Sequence, residues 1–307
     1  MTVRHLRTLD DLSSDELRHV LALAAKVKSH PENYRTALQG KTLAMIFQKK
    51  STRTRVSFEV GMYQLGGSAL FLSSNDIQIG RGEPISDTAR VLSRYCDIIM
   101  ARVYGHDDIE QLAEHATVPV INGLSDATHP CQVLADLQTI EERFGRLAGR
   151  HMVYVGDGNN MTHSLMLGCP RVGMDFTAVT PPGYEVDPEY LARARAYAAE
   201  TGVSVNVSTD PIEGVRGANV IYTDVWASMG QESEQAERVE KFQGYIVDQA
   251  MLERAADDCI FMHCLPAHRG EEVSAEVCDG PQSVIFDEAE NRLHAQKALM
   301  LFLMGAA

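Results

Sequence analysis

The chain has 307 residues, 45% hydrophobic and 23% charged, enough for two α/β domains of about 150 residues with a sizeable core. A net charge of -14 and a sequence pI of about 5.2 argue against nucleic acid or an anionic membrane surface as the main partner, so an anionic ligand has to be drawn by a local cluster of cations. The six cysteines, at 96, 131, 169, 259, 264 and 278, make no C-x-x-C pair and no His/Cys spacing suited to zinc; a reduced, cytoplasmic protein without a metal is expected.

Ser13 and Glu16 form a capping box that opens an amphipathic helix, so the first 28 residues read as folded chain and not as a signal peptide. The longest apolar run, 298–304, is far too short to span a membrane. A strand over 42–47 leads to Ser51-Thr52-Arg53-Thr54-Arg55, and helical spacing of apolar residues follows from Val56 to Leu65, ending at Gly66-Gly67. Hydroxyls and guanidiniums at a helix N-terminus, where backbone N–H groups point outward, make a seat for phosphate.

A strand over 68–72 precedes a long polar loop, 73–83, of the kind that serves as a lid, a binding loop or a subunit contact. A helix over 86–95, a strand over 97–100 ending in Ala101-Arg102, a helix over 107–116 and a strand over 118–121 come next. That strand runs into a loop ending His129-Pro130-Cys131-Gln132, and Pro130 suits the first turn of a helix that continues to about 144. Strands alternating with helices predict a parallel sheet covered on both faces, with ligands at the carboxyl ends of its strands. Arg102 and His129 both lie just past strands and are expected to join the Ser51 cluster.

Residues 145–150 read as a hinge, after which the alternation restarts with strands over 151–155, 176–179, 203–207, 219–223 and 260–263 and helices from 161, over 188–201 and near 245–256. Gly156-x-Gly158 lacks the third glycine of a dinucleotide fingerprint, and Thr180-Pro181-Pro182 replaces the acid expected after the next strand, so neither a nicotinamide nor a flavin cofactor is expected. Asp224-Val225-Trp226-Ala227-Ser228-Met229-Gly230 suits a flap over an amine-bearing ligand. Cys264, in His263-Cys264-Leu265-Pro266, has no evident base beside it and reads as a packed or ligand-touching thiol. Glu290-Asn291-Arg292 is expected to open a last helix to about 303, with Arg292 either a third phosphate-site arginine or a surface charge.

These motifs, in this order and over nearly the whole chain, resemble the aspartate/ornithine carbamoyltransferase family. The resemblance implies an α/β protein of two domains, each a parallel sheet flanked by helices, with the active site in the cleft between them. Residues 1–147, completed by a C-terminal helix at 286–307, would bind carbamoyl phosphate; residues 148–285 would bind ornithine. Ser51, Thr52, Arg53 and Thr54 would hold the phosphate, with Arg102 bridging it to the carbonyl oxygen and His129 donating to that oxygen. Gln132, the Leu265 carbonyl and Arg292 would orient the carbamoyl amide. Gln78 would reach a neighbouring subunit's site in a homotrimer. Asn160, Asp224, Ser228 and Met229 would grip the amino-acid end of ornithine, with Asp224 and Cys264 near its side-chain amine. The product would be citrulline, and neither cofactor, nucleic acid nor membrane is implied. A carbamoyl acceptor other than ornithine (putrescine, acetylornithine or aspartate) and a non-catalytic phosphate-sensing protein remain alternatives. Gln48 stands where the family often has an acid, Pro84 joins the long loop to its helix, and Cys169-Pro170 should end the helix after Asn160.

Overall fold

The computed structural model describes residues 3–227 and 232–306. The chain divides into two compact units: Met1–Gln138 with Glu290–Ala307, and Thr139–Ala289. Both borders fall inside helices.

In the first unit the strands are β1 (Thr42–Phe47), β2 (Ser68–Ser73), β3 (Ile98–Arg102) and β4 (Val120–Leu124), all parallel in the order β2-β1-β3-β4. Runs such as Leu43–Phe47 and Ile98–Ala101 are buried throughout, as a sheet covered on both faces requires. The helices are α1 (Ser14–Ser29), α2 (Thr52–Gln64), α3 (Ile85–Tyr95), α4 (His106–His115) and α5 (Pro130–Phe144), the last of which passes out of the unit. Ala44, Ile46, Ile99 and Ala101 of the sheet pack with Ala89 of α3 and Ile109 and Leu112 of α4.

The second unit holds β5 (His151–Val155), β6 (Asp175–Val179), β7 (Val205–Ser208), β8 (Val220–Thr223) and β9 (Ile260–His263), again all parallel, in the order β7-β6-β5-β8-β9. Its helices are α6 (Asn160–Gly168), α7 (Pro188–Thr201), α8 (Pro211–Gly214), α9 (Gln235–Lys241), α10 (Gln249–Leu252) and α11 (Ala275–Cys278), and α12 (Ile285–Leu303) starts here. Two expectations are corrected. The helix near 245–256 is only α10, a single turn capped by Asp248, and α12 begins five residues before Glu290. As expected, α6 stops at Gly168, before Cys169-Pro170.

Each strand order contains a reversal. In the first unit the chain leaves β1 to one side and returns to β3 on the other; in the second it leaves β5 for β6 and β7 and returns to β8. Loops leaving the carboxyl ends of strands at such a reversal diverge and open a crevice, where ligands of open α/β sheets bind. The Ser51 and Arg102 loops flank the first reversal, and the Gly156–Asn160 and Asp224 loops flank the second.

Candidate functional site

In the first unit Ser51 caps α2: its backbone is extended and its Oγ accepts the Thr54 N–H at 3.2 Å. Thr54 is buried, and its Oγ1 accepts from Arg292 Nη2 at 3.2 Å. Arg292 is 2% exposed and also donates Nη1 to Gln132 Oε1 at 2.5 Å. Gln132 is turned by its own amide donating to Asp136 Oδ1 at 2.8 Å, which leaves its oxygen for the guanidinium. With its amide oriented to satisfy both neighbours, Gln296 accepts from Arg292 Nε and Nη2 and donates to Ser57. Neutral oxygens of Thr54, Gln132 and Gln296 thus direct the fork of Arg292.

Arg102 ends β3 and is 7% exposed; His129 precedes α5 and is 5% exposed. Burial, then the positive charges of Arg292, Arg102 and Arg53, hold the His129 imidazole well below its usual value of 6.5. It is therefore neutral at physiological pH, able to donate one N–H. The concentrated charge of three arginines around it suits an anion, inside a chain whose net charge is -14. Arg55 is not part of this group. It lies 3.8 Å over the Phe71 ring and pairs with Glu59, because helical geometry turns position 55 to the outer face. The second motif guanidinium expected from sequence is absent, and Arg292 brings one instead. Gln78 is exposed, with no side-chain hydrogen bond to this group among the described residues.

In the second unit Asp224 follows β8 and is 7% exposed. Its Oδ1 accepts the Val225 N–H at 2.8 Å and the Cys264 thiol at 3.1 Å, and its Oδ2 faces Asn159 Nδ2 at 3.5 Å. Asn159 itself caps α6 through its Oδ1 to the Met161 and Thr162 N–H groups, which fixes the amide that meets Asp224. Asn160, the residue singled out by sequence, is half-buried in the first turn of α6. Fully buried His263 accepts the Leu265 N–H at Nδ1 (2.8 Å), so its Nε2 carries the proton and donates to Glu272 at 3.2 Å. Leu265 has φ of 59°, an uncommon conformation for a branched residue and one that accompanies functional turns. Ser228 and Met229 lie outside the described residues.

Sequence reasoning missed Asn159, Asp136, Gln296 and Glu272, and also the buried pair of Arg238 with Asp157. Arg238 Nη1 lies 2.6 Å from Asp157 and 2.9 Å from the Trp226 carbonyl. The one available signal was Asn159 standing two residues before Met161, an N-cap placement. Gly158 has a packing role: an added Cβ would come 2.4 Å from the Glu185 carbonyl oxygen. Among the described residues, two groups bring potential metal-ligand atoms within 4.8 Å of one another, Asp224 with His263 and Cys264, and His268 with Glu271 and Glu272. Both His263 nitrogens are already engaged, so the first group would have to break a buried hydrogen bond to take an ion.

Residues 4–142 match the carbamoyl-P binding domain of aspartate/ornithine carbamoyltransferase, and residues 148–303 match the Asp/Orn binding domain of the same family. The chain belongs to the aspartate/ornithine carbamoyltransferase family. Among carbamoyltransferases, it is 58% identical over 304 residues to the ornithine carbamoyltransferase of Oceanobacillus iheyensis, covering 98% of this chain and 94% of that one. The solved ornithine carbamoyltransferase of Pyrococcus furiosus superposes with a TM-score of 0.95 at 55% identity, covering 99% and 98% of the two chains. An acetylornithine transcarbamylase complexed with acetylcitrulline is more distant within this carbamoyltransferase set, at 34% identity and a TM-score of 0.87 over 97% and 98% of the two chains.

Proposed function

We infer that this chain transfers the carbamoyl group of carbamoyl phosphate to the δ-amine of L-ornithine, giving L-citrulline and phosphate. The observation that carries this reading is buried His129 facing the charges of Arg53, Arg102 and Arg292 in a chain of the carbamoyltransferase family. In this reading Ser51, Thr52, Arg53 and Thr54 hold the phosphate at the α2 N-terminus, where the helix dipole adds to the arginine charge. Arg102, His129 and Thr54 stabilise the negative charge that grows on the carbonyl oxygen as the amine attacks; Gln132, Arg292 and the Leu265 carbonyl orient the carbamoyl amide. The C–N bond forms, the C–O bond to phosphate breaks, and the proton that the amine nitrogen loses passes to the departing phosphate, which leaves as the hydrogen phosphate dianion held by the arginines. Asp224 and Cys264 receive the δ-amine, with Asn160, Ser228 and Met229 on the α-amino and carboxylate groups. The amine must be neutral to attack, so the rate rises with pH through the alkaline range.

Gln78 is assigned to a neighbouring copy's site in a homotrimer, a reading supported by its exposure and its lack of a bond to the first-unit group. A cytoplasmic place and a role in arginine synthesis fit the same reading; no helix among the described residues is long and apolar enough to cross a membrane. The test is purified protein with carbamoyl phosphate and, separately, ornithine, acetylornithine, putrescine and aspartate, scored for phosphate and carbamoylated product. Citrulline from ornithine alone is expected. Product from another amine alone would overturn the acceptor assignment, and no product from any amine would overturn the enzyme reading.

A further inference from the structure

Gln48 lies one residue past β1, at the first-unit reversal, and three residues before the Ser51 cap. Its backbone N–H donates to the Arg102 carbonyl at 2.8 Å, adding one more rung to the β1–β3 pair. Its side chain continues across the same gap. Oε1 accepts the Tyr104 N–H at 2.9 Å and Nε2 donates to Asp108 Oδ2 at 2.7 Å, in the first turn of α4. One residue therefore ties the loop that leads to Ser51 to both the Arg102–Tyr104 segment and α4. The tie falls where the sheet is least regular, because the pairing of β3 with β4 shifts register between Ala101 and Arg102. Beyond that shift the ladder to β4 no longer sets Arg102 by simple pairing, and the contacts from Gln48 fix its β1 side.

We propose that Gln48 is a positioning residue that sets Arg102 against Ser51–Thr54, and that it must be a neutral amide because Asp108 faces it. This rests on the reading of that group as the carbamoyl phosphate site. An amide alone satisfies both neighbours, since the Tyr104 N–H needs an acceptor and the Asp108 carboxylate needs a donor. A glutamate at 48 would keep the first bond and set two carboxylates at hydrogen-bonding distance, forcing the segment to move or one of them to stay protonated.

The experiment is a charge swap read on both substrates, with melting temperature as a control for folding. Gln48→Glu is expected to raise the KM for carbamoyl phosphate about tenfold while changing the ornithine KM and kcat less, with Asp108→Asn alone mild because an asparagine oxygen still accepts from Gln48. Gln48→Glu with Asp108→Asn restores a donor opposite an acceptor, and its carbamoyl phosphate KM should return to within about twofold of the parent. A Gln48→Glu protein with unchanged carbamoyl phosphate KM, or a double variant no better than the single, would overturn the proposal; so would an equal rise in both KM values, which marks a merely structural role. Arg53→Ala run alongside separates the two claims: if it leaves the carbamoyl phosphate KM unchanged, the reading of the site has failed, whatever Gln48 does.

Discussion

The two units use one topological device and fill it with opposite chemistry. Each is an all-parallel sheet with a single reversal, flanked by the Ser51 and Arg102 loops in the first unit and by the Gly156–Asn160 and Asp224 loops in the second. In the first unit the candidate residues are cationic or neutral: Arg53, Arg102, Arg292, His129 and Gln132. In the second they are Asp224, Cys264 and Asn159, with His263 and Glu272 behind them. The lesson is that fold position says where a ligand binds and side-chain charge says which one. A cationic crevice takes an anion and an acidic one takes an amine, so lesions in the two should separate by substrate.

The largest separation is expected from Arg102→Ala. It removes a charged donor from both the phosphate and the developing oxyanion, so kcat/KM should fall by about 10³ or more, within the range or beyond for one lost oxyanion donor. Steady-state kinetics with each substrate varied in turn checks this, and a loss confined to the ornithine KM would break the contrast. Asp224→Asn should cost about 10² in kcat/KM for ornithine, because the amine loses its anionic partner while the asparagine oxygen still accepts from Cys264. Binding of carbamoyl phosphate, measured by calorimetry without ornithine, should stay within about twofold of the parent, since Asp224 is assigned to the amine and not to the phosphate. Cys264→Ser keeps a donor toward Asp224 at a shorter reach and should cost only about tenfold. A complete loss of activity in that variant would mean the thiol does more than orient and touch the amine.

Residues announced by local rules were legible in the sequence. Ser51 could be read as a cap, Arg102 and His129 as residues past strands, and Asp224 and Cys264 as members of polar loops at strand ends. Their partners were not legible. Asp136 turning Gln132, Gln296 holding Arg292 and Asn159 meeting Asp224 join residues through tertiary packing, and no periodicity reports that. Arg55 shows the opposite error: motif density counted it in, and helix geometry turned it out to Phe71. The Tyr245 segment was misjudged as a helix because its apolar residues, Tyr245, Val247, Met251 and Leu252, are buried in the core through a mostly irregular stretch.

The smallest effect is a difference in shape and not in size, and it tests the charge contrast most directly. His129 is held neutral by burial and by three arginines, so it should not titrate near its ordinary 6.5 during catalysis. The profile of log kcat against pH should then rise with deprotonation of the ornithine amine, and His129→Gln should lower it by a constant offset without changing its shape. An acid-side break near 6.5 in the parent that vanishes in the variant would mean the imidazole does take a proton, and that the cationic cluster is weaker than its geometry implies. Stability carries the same sign. A histidine whose folded value is depressed binds fewer protons folded than unfolded, so its contribution is intact above 6.5 and is lost as pH falls below it. Denaturant unfolding of parent and His129→Gln between pH 8 and pH 5 should therefore show the parent losing more stability on the acid side, because glutamine has no proton to take up.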